Sequence, residues 1–231
     1  LGFHPLKTSK ALPLITACAT SCWVMIKTLL DYYETCWLPL GDKDEESKIL
    51  NRFHGLLGHG PAIFTRDFYR DGHITASSLV VSPDLDRVLL TLHAKLKLWL
   101  QLGGHTDGQS EVHLAAMREA SEESGLQSLA FLPYESGLLP ALPASLEGIP
   151  IPFDLDVHAI PARKIEPLHF HYDVRYAIVA DPDEPLLITE ESEDLRWFTL
   201  AEARALTAER SMHRQFDKLA RLKEIMARRI D

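Results

Sequence analysis

Three glutamates, Glu119, Glu122 and Glu123, stand at i, i+3 and i+4 within the run Arg118-Glu119-Ala120-Ser121-Glu122-Glu123-Ser124-Gly125-Leu126. On a helix these spacings share one face. Like charges stacked in that way destabilise a helix, so helix stability does not explain them. A hard divalent cation does, because Mg²⁺ and Mn²⁺ take oxygen ligands and favour carboxylate charge. Ahead of this run lie Gly103-Gly104 and a polar stretch containing His105 and Asp107. The pair reads as a turn opening a loop that can bring backbone N–H groups to a phosphate. A second group of chemically capable residues is His169, His171, Asp173 and Arg175, which alternate and would share one face of a strand. His169 and His171 are candidates there for contact with substrate or metal and Arg175 for contact with a substrate phosphate, and Gly104 and His105 in the loop are candidates for substrate contact. His93 precedes the loop, and Trp99 and Trp197 are of a type that stacks on bases but more often fills a core.

The arrangement around the three glutamates resembles the Nudix box, G-x5-E-x7-R-E-U-x-E-E-x-G-U, where U is aliphatic. With Gly104 as the first glycine, Arg118, Glu119, Glu122, Glu123, Gly125 and Leu126 fall in register, and Ala120 stands at the first U. One position departs: Ser110 stands where the first glutamate belongs, with Glu111 beside it. A lone acidic run is usually a solvated helix face; the accompanying Gly-Gly, Arg-Glu and closing Gly set this one apart. The resemblance covers roughly Gly72 to Leu206. It implies an α/β fold, the Nudix-type α/β/α sandwich with a mixed sheet. It also implies Mg²⁺- or Mn²⁺-dependent hydrolysis of a diphosphate linkage in a nucleoside diphosphate joined to another group, of the ADP-ribose or nucleotide-sugar type. In that reading Glu119, Glu122 and Glu123 are metal ligands, and Glu122 or Glu123 also orients or deprotonates water. Arg118, Gly103 and Gly125 support the structure. A further glutamate outside the box is expected from the acidic loop Glu190, Glu191 and Glu193, with Glu193 as the candidate.

Two other readings compete. A Nudix-like module can bind a nucleotide without turnover and regulate a partner, although such modules usually have eroded box glutamates. The stretch LHAKLKLWLQLGGH is loosely similar to isopentenyl-diphosphate isomerases, but these use a cysteine before the box helix, and no cysteine follows Cys36.

Composition narrows the partners. A formal charge of −9 argues against binding a nucleic-acid polymer, which requires a basic surface. It leaves a small nucleotide substrate open, since bound metal reverses the local field. Cys18, Cys22 and Cys36 form neither a disulfide framework nor a zinc motif, which suits a reducing cytoplasm. The apolar run Ala11–Ile26 is interrupted by Pro13 and polar residues, so no membrane partner is expected.

The elements that must position these groups follow from periodicity. Residues 1–24 read as a leader, with Met25 as the natural start. Residues 25–71 read as a helical extension, helices near Met25–Leu38 and Asp42–Leu57, suited to packing, to capping the cleft or to forming a homodimer. The Nudix-like domain is expected over 72–231. Strands are expected over Ile74–Ser82, Arg87–His93, Leu96–Leu102, Ser128–Leu132, Phe153–Ile160, Leu168–Ala180 and Glu191–Phe198. Ser110 is the expected N-cap of the central helix and Gly125 its end. Thr199 to Glu202 forms a capping box, and Met212–Arg229 an amphipathic closing helix. The proline-rich segment Pro133–Pro152 reads as a long loop, a lid or a contact between copies.

Overall fold

In the computed structural model of the chain the described residues are 15–36, 41–132, 141–163 and 165–228, with side chains from Val24 onward. Most of the expected leader and residues 133–140 of the proline-rich loop lie outside them; the loop's remainder contains a 3-10 turn at Ala144–Leu146. In chain order the helices are α1 (Ile15–Cys36), α2 (Lys43–Leu56), α3 (Val112–Ser124), α4 (Leu200–Leu206) and α5 (Arg210–Ala227). The strands are β1 (His73–Val81), β2 (Arg87–His93), β3 (Trp99–Leu100), β4 (Leu102–His105), β5 (Ala130–Phe131), β6 (Asp154–Ile160), β7 (His169–Val179) and β8 (Ser192–Thr199).

One mixed sheet holds all eight strands. Its spine is the parallel pair β1 and β7, in register from His73↔His171 to Val81↔Val179. The first half of β1 is flanked by β4 and its end by β2, both antiparallel, while β6 flanks β7. β4 pairs with β1 alone, which makes it an edge strand beside the box helix α3. β1 is buried along its whole length, and its two faces serve different layers. Ser78 donates its hydroxyl to the Ala116 carbonyl (2.9 Å), so one face meets α3, whose Ala115, Ala116 and Ala120 are fully buried. Small side chains on the helix let it approach the sheet closely. Thr75 and Ser77 point the other way, donating to Asp173 (3.0 and 2.7 Å) on the face that also carries Arg214 and Gln215 of α5. The layering is therefore the α/β/α sandwich that the resemblance implied.

The local chemistry explains the ends. Asp42 caps α2 by accepting from the amides of Asp44 and Glu45 (3.1 and 3.2 Å). Thr199 and Glu202 complete the capping box of α4. Gly125 ends α3 at φ 74°, which a residue with a Cβ rarely adopts.

Several expectations need correction. The N-cap of α3 is Glu111, without a side-chain cap bond, and Ser110 instead donates to the Glu111 carboxylate (3.1 Å). The single strand expected over Leu96–Leu102 starts only at Trp99, because Lys97 takes a positive φ of 57° and turns the chain, and it divides at Gln101 into β3, which pairs with β2, and β4, which pairs with β1. Gly103-Gly104 is not a turn: it lies within β4, opposite Ser77 and Ala76. The strand after α3 shrinks to Ala130–Phe131. α1 begins at Ile15, ten residues before the expected helix start. Among the described residues no helix is long and apolar enough to cross a membrane. The apolar faces of α1 and α2, through Ile26, Leu29, Leu30, Tyr33, Leu50 and Phe53, are spent in the chain's own core.

α1, α2, β6, β7 and α5 meet in a buried ionic network. Asp154, wholly buried, accepts from Lys218 (2.7 Å), Arg214 (2.9 Å) and Arg175 (3.2 Å). Lys218 also reaches Glu46 (2.6 Å) and the Tyr33 hydroxyl (2.6 Å). Burial alone would raise the Asp154 pKa, but its three cationic partners outweigh burial and hold it below the usual carboxylate range. Removing one partner from such a network strands the others without water. Asp154→Ala should therefore cost about 3–5 kcal/mol in urea unfolding; a loss under about 1 kcal/mol would contradict this role.

Candidate active site

The site is built where α3 lies along the edge strand β4. Gly104 faces α3: a Cβ there would come within 2.8 Å of the Glu119 carboxylate, so only glycine leaves that carboxylate its place. Gly103 has φ 154° and lies so close to Ala76 and Ser77 that a Cβ would clash at 2.5–2.6 Å. Its amide donates to Glu123 Oε1 at 3.3 Å. Arg118 is the brace. It donates to the His105 carbonyl (3.0 Å) and pairs with Glu119 and Glu122 (2.9 Å each), tying helix to strand.

The electrostatics of the cluster are unfavourable as it stands. Burial, only partly offset by the Arg118 charge, raises the Glu119 pKa, with Glu122 and Glu191 adding to it. Glu123 is pushed up to about 8, by burial first, against the Gly103 amide that lowers it, and further by the charges of Glu119, Glu191 and Glu122. Glu123 forms no ion pair among the described residues. Carboxylates pressed together with a single guanidinium, one of them uncompensated, suit a divalent cation with oxygen ligands. The residues present therefore fit Mg²⁺ or Mn²⁺, which Glu119, Glu122 and Glu123 would hold.

The other expected residues are distributed unevenly. Of the acidic loop, Glu191 is the residue whose charge reaches Glu119 and Glu123. Glu193, the expected candidate, turns outward and pairs with Lys97, and Glu190 is exposed. Arg175 is engaged by carboxylates rather than free for a phosphate. It is buried, bonded to Asp173 (2.8 Å), Asp154 and Asp156 (3.2 Å each), and belongs to the ionic network. His105 shares the face of Thr75, opposite to Gly104, and accepts from Arg66 at Nδ1 (3.0 Å). His171 lies 5.1 Å from it, ring to ring, on that same face. His93 stands apart, accepting the Lys95 amide. Trp99 packs edge-on against Phe198 at 4.8 Å and is a packing residue, and Trp197 is partly buried against the core.

Beside the histidines a cavity of about 420 Å³ opens, lined by Arg52, Tyr69, Arg70, His169, Phe170 and Tyr172 among others. Arg52 stacks over the Phe170 ring at 4.4 Å. Sequence reasoning singled out none of these but His169, nor His73 and His158, which complete the histidine group. The signal was the odd spacing of His73, Thr75 and Ser77, but only the parallel pairing with β7 places it.

A family model described as NUDIX domain matches residues 72–219, more than half of the chain. The chain belongs to the NUDIX family. Similar solved structures include a NUDIX-family hydrolase from Clostridium perfringens, 27% identical, covering 65% of this chain and 97% of that one at a TM-score of 0.48. Another is a C. elegans Ap4A hydrolase binary complex, 14% identical, covering 64% and 96% at a TM-score of 0.48. A third is the E. coli dihydroneopterin triphosphate pyrophosphohydrolase, 16% identical, covering 63% and 92% at 0.46. None of the curated proteins matches the chain.

The raised Glu123 pKa predicts a pH signature in metal-free protein. Unfolded, the group titrates near about 4.3; folded, near about 8. Its neutral form is favoured in the folded state, so its contribution to stability is full below about pH 4.3 and lost as pH rises through about 8. Between pH 5 and 9, in a chelator, wild type should lose unfolding free energy relative to Glu123→Gln, which stays neutral. Parallel pH profiles for the two proteins would contradict the assignment.

Proposed function

We propose that the chain hydrolyses a diphosphate linkage in a nucleoside diphosphate joined to a second group, of the ADP-ribose or nucleotide-sugar type, with Mg²⁺ or Mn²⁺. The observation that carries this reading is the carboxylate cluster on α3 held against the edge strand β4. Glu119, Glu122 and Glu123 would hold a divalent ion there, and that ion would supply charge to screen the anionic diphosphate and to acidify a water for attack on phosphorus. Glu191 adds to the charge of the three glutamates from the loop before β8. Glu122 or Glu123 accepts the proton of the attacking water, each being a carboxylate on the part of α3 that would hold the ion. Arg118 keeps α3 and β4 in register, and Gly104 leaves room for the Glu119 carboxylate.

The second group of the substrate has a place to go. β4 is an edge strand, and the other face of the sheet holds His105, His171 and, lined by His169, the cavity. Tyr69, Phe170 and Tyr172 offer ring faces there, with Arg52 and Arg70 at hand for negative charge. The net charge of −9 favours a small nucleotide over a polymer, and the cysteine usage favours a reducing cytoplasm. A homodimer remains compatible with this site, which one chain forms alone.

The test is phosphate or nucleoside-monophosphate release from a panel of nucleoside diphosphate conjugates with Mg²⁺ or Mn²⁺, wild type beside Glu123→Gln. Turnover of one conjugate, reduced at least ~100-fold in the variant, is the expected result. Tight binding of one conjugate without turnover in wild type would instead make the chain a nucleotide-sensing regulator.

A further inference from the structure

On the face of the sheet opposite α3, one nitrogen from each of His73, His169 and His171 lies within 4.8 Å of the other two. The parallel register places His73 beside His171, and β7 supplies His169 two residues earlier on the same face. The rings lie 4.7–5.2 Å apart by centroid. Histidines stacked in a core are common and usually hydrogen-bonded. Here the bonding is one-sided. His169 Nδ1 meets the Pro167 carbonyl at 2.8 Å and His73 Nδ1 the Phe68 carbonyl at 3.4 Å. A carbonyl only accepts, so both rings carry their proton on Nδ1 and present Nε2 as a bare lone pair. His73 is 1% exposed, and its Nε2 has no hydrogen-bond partner. A buried acceptor left unmade costs on the order of 1–3 kcal/mol.

Carbonyl-anchored imidazoles whose free nitrogens converge are the arrangement that metal-binding histidines show. We propose that His73, His169 and His171 form a binding site for a zinc-class transition-metal ion, distinct from the carboxylate site on α3. Three imidazoles and no carboxylate exclude Mg²⁺ as the preferred occupant and favour Zn²⁺ or Co²⁺. Tetrahedral coordination at about 2.0–2.1 Å brings ligand nitrogens to about 3.4 Å, so the rings close in by about an ångström on binding. Three protein ligands leave a fourth position open, and one of them, His169, also lines the 420 Å³ cavity. His105 is not a fourth ligand: its Nδ1 accepts from Arg66 (3.0 Å), which leaves the proton on Nε2. Burial, reinforced by the neighbouring rings, lowers the pKa of His73 to about 4, which keeps the ring unprotonated near neutral pH.

This proposal does not depend on hydrolysis, and its test reads metal binding alone. The chelator-stripped full chain is titrated with Zn²⁺ against a chromophoric competitor, and the Zn²⁺-loaded protein is studied by X-ray absorption at the zinc edge. Expected are a tight first equivalent and scattering from three imidazoles. His171→Gln, at a partly exposed position, should weaken that equivalent at least ~10-fold while keeping the wild-type circular dichroism and melting temperature. Glu119→Gln should leave it unchanged. No tight equivalent, oxygen-dominated scattering, or loss on Glu119→Gln with retention in His171→Gln would each overturn the proposal. The absorption measurement needs no variant, so a His171→Gln protein that failed to fold would still leave a decisive result.

Discussion

The parallel pairing of β1 with β7 is the constraint on which both sites depend. Nine consecutive register partners, from His73↔His171 to Val81↔Val179, fix which residues share a face. Because β1 is buried on both sides, every second residue is committed to one layer or the other. Ala76 and Ser78 meet α3; His73, Thr75 and Ser77 meet the histidines and Asp173. A one-residue slip would exchange these sets and put polar groups against the alanines of α3.

Hung on this spine, β4 works as a partition with two chemistries. Gly104 turns to the carboxylates of α3, and His105 turns to the imidazoles. Arg118 links them through the His105 carbonyl while answering two of the three box glutamates. Glu123 is left to burial and to like charges, which is why it holds its proton so strongly. Stability here is supplied elsewhere, by the core and by the network centred on Asp154 that ties the N-terminal helices to α5. Hard, oxygen-seeking ions and borderline, nitrogen-seeking ions would find separate homes a strand apart.

Much of this was legible in the sequence where chemistry is local. The spacing of Arg118, Glu119, Glu122 and Glu123 is a helix property, and the Thr199–Glu202 cap and Gly125 end need only their neighbours. What could not be read is what long-range pairing decides. Gly103-Gly104 carries a turn's composition, yet the close approach of Ala76 and Ser77 makes it a strand that only glycine can occupy. Arg175 alternates with His171 as expected, but the alternation does not say that Asp154 and Asp156 lie across from it on β6. Glu191 and Glu193 differ only in which of them faces the helix, and Lys97, distant in sequence, settles where Glu193 goes. His73 acquires meaning only once β7 is beside it.

The proposed hydrolysis requires that the carboxylates on α3, not the imidazoles, hold the hard divalent ion. Electron paramagnetic resonance titration of Mn²⁺, with zinc excluded, addresses that requirement directly by comparing wild type with Glu119→Gln and His171→Gln. Glu119→Gln should weaken Mn²⁺ binding at least ~10-fold, and His171→Gln should leave it as in wild type. Mn²⁺ binding unaffected by Glu119→Gln would contradict that requirement.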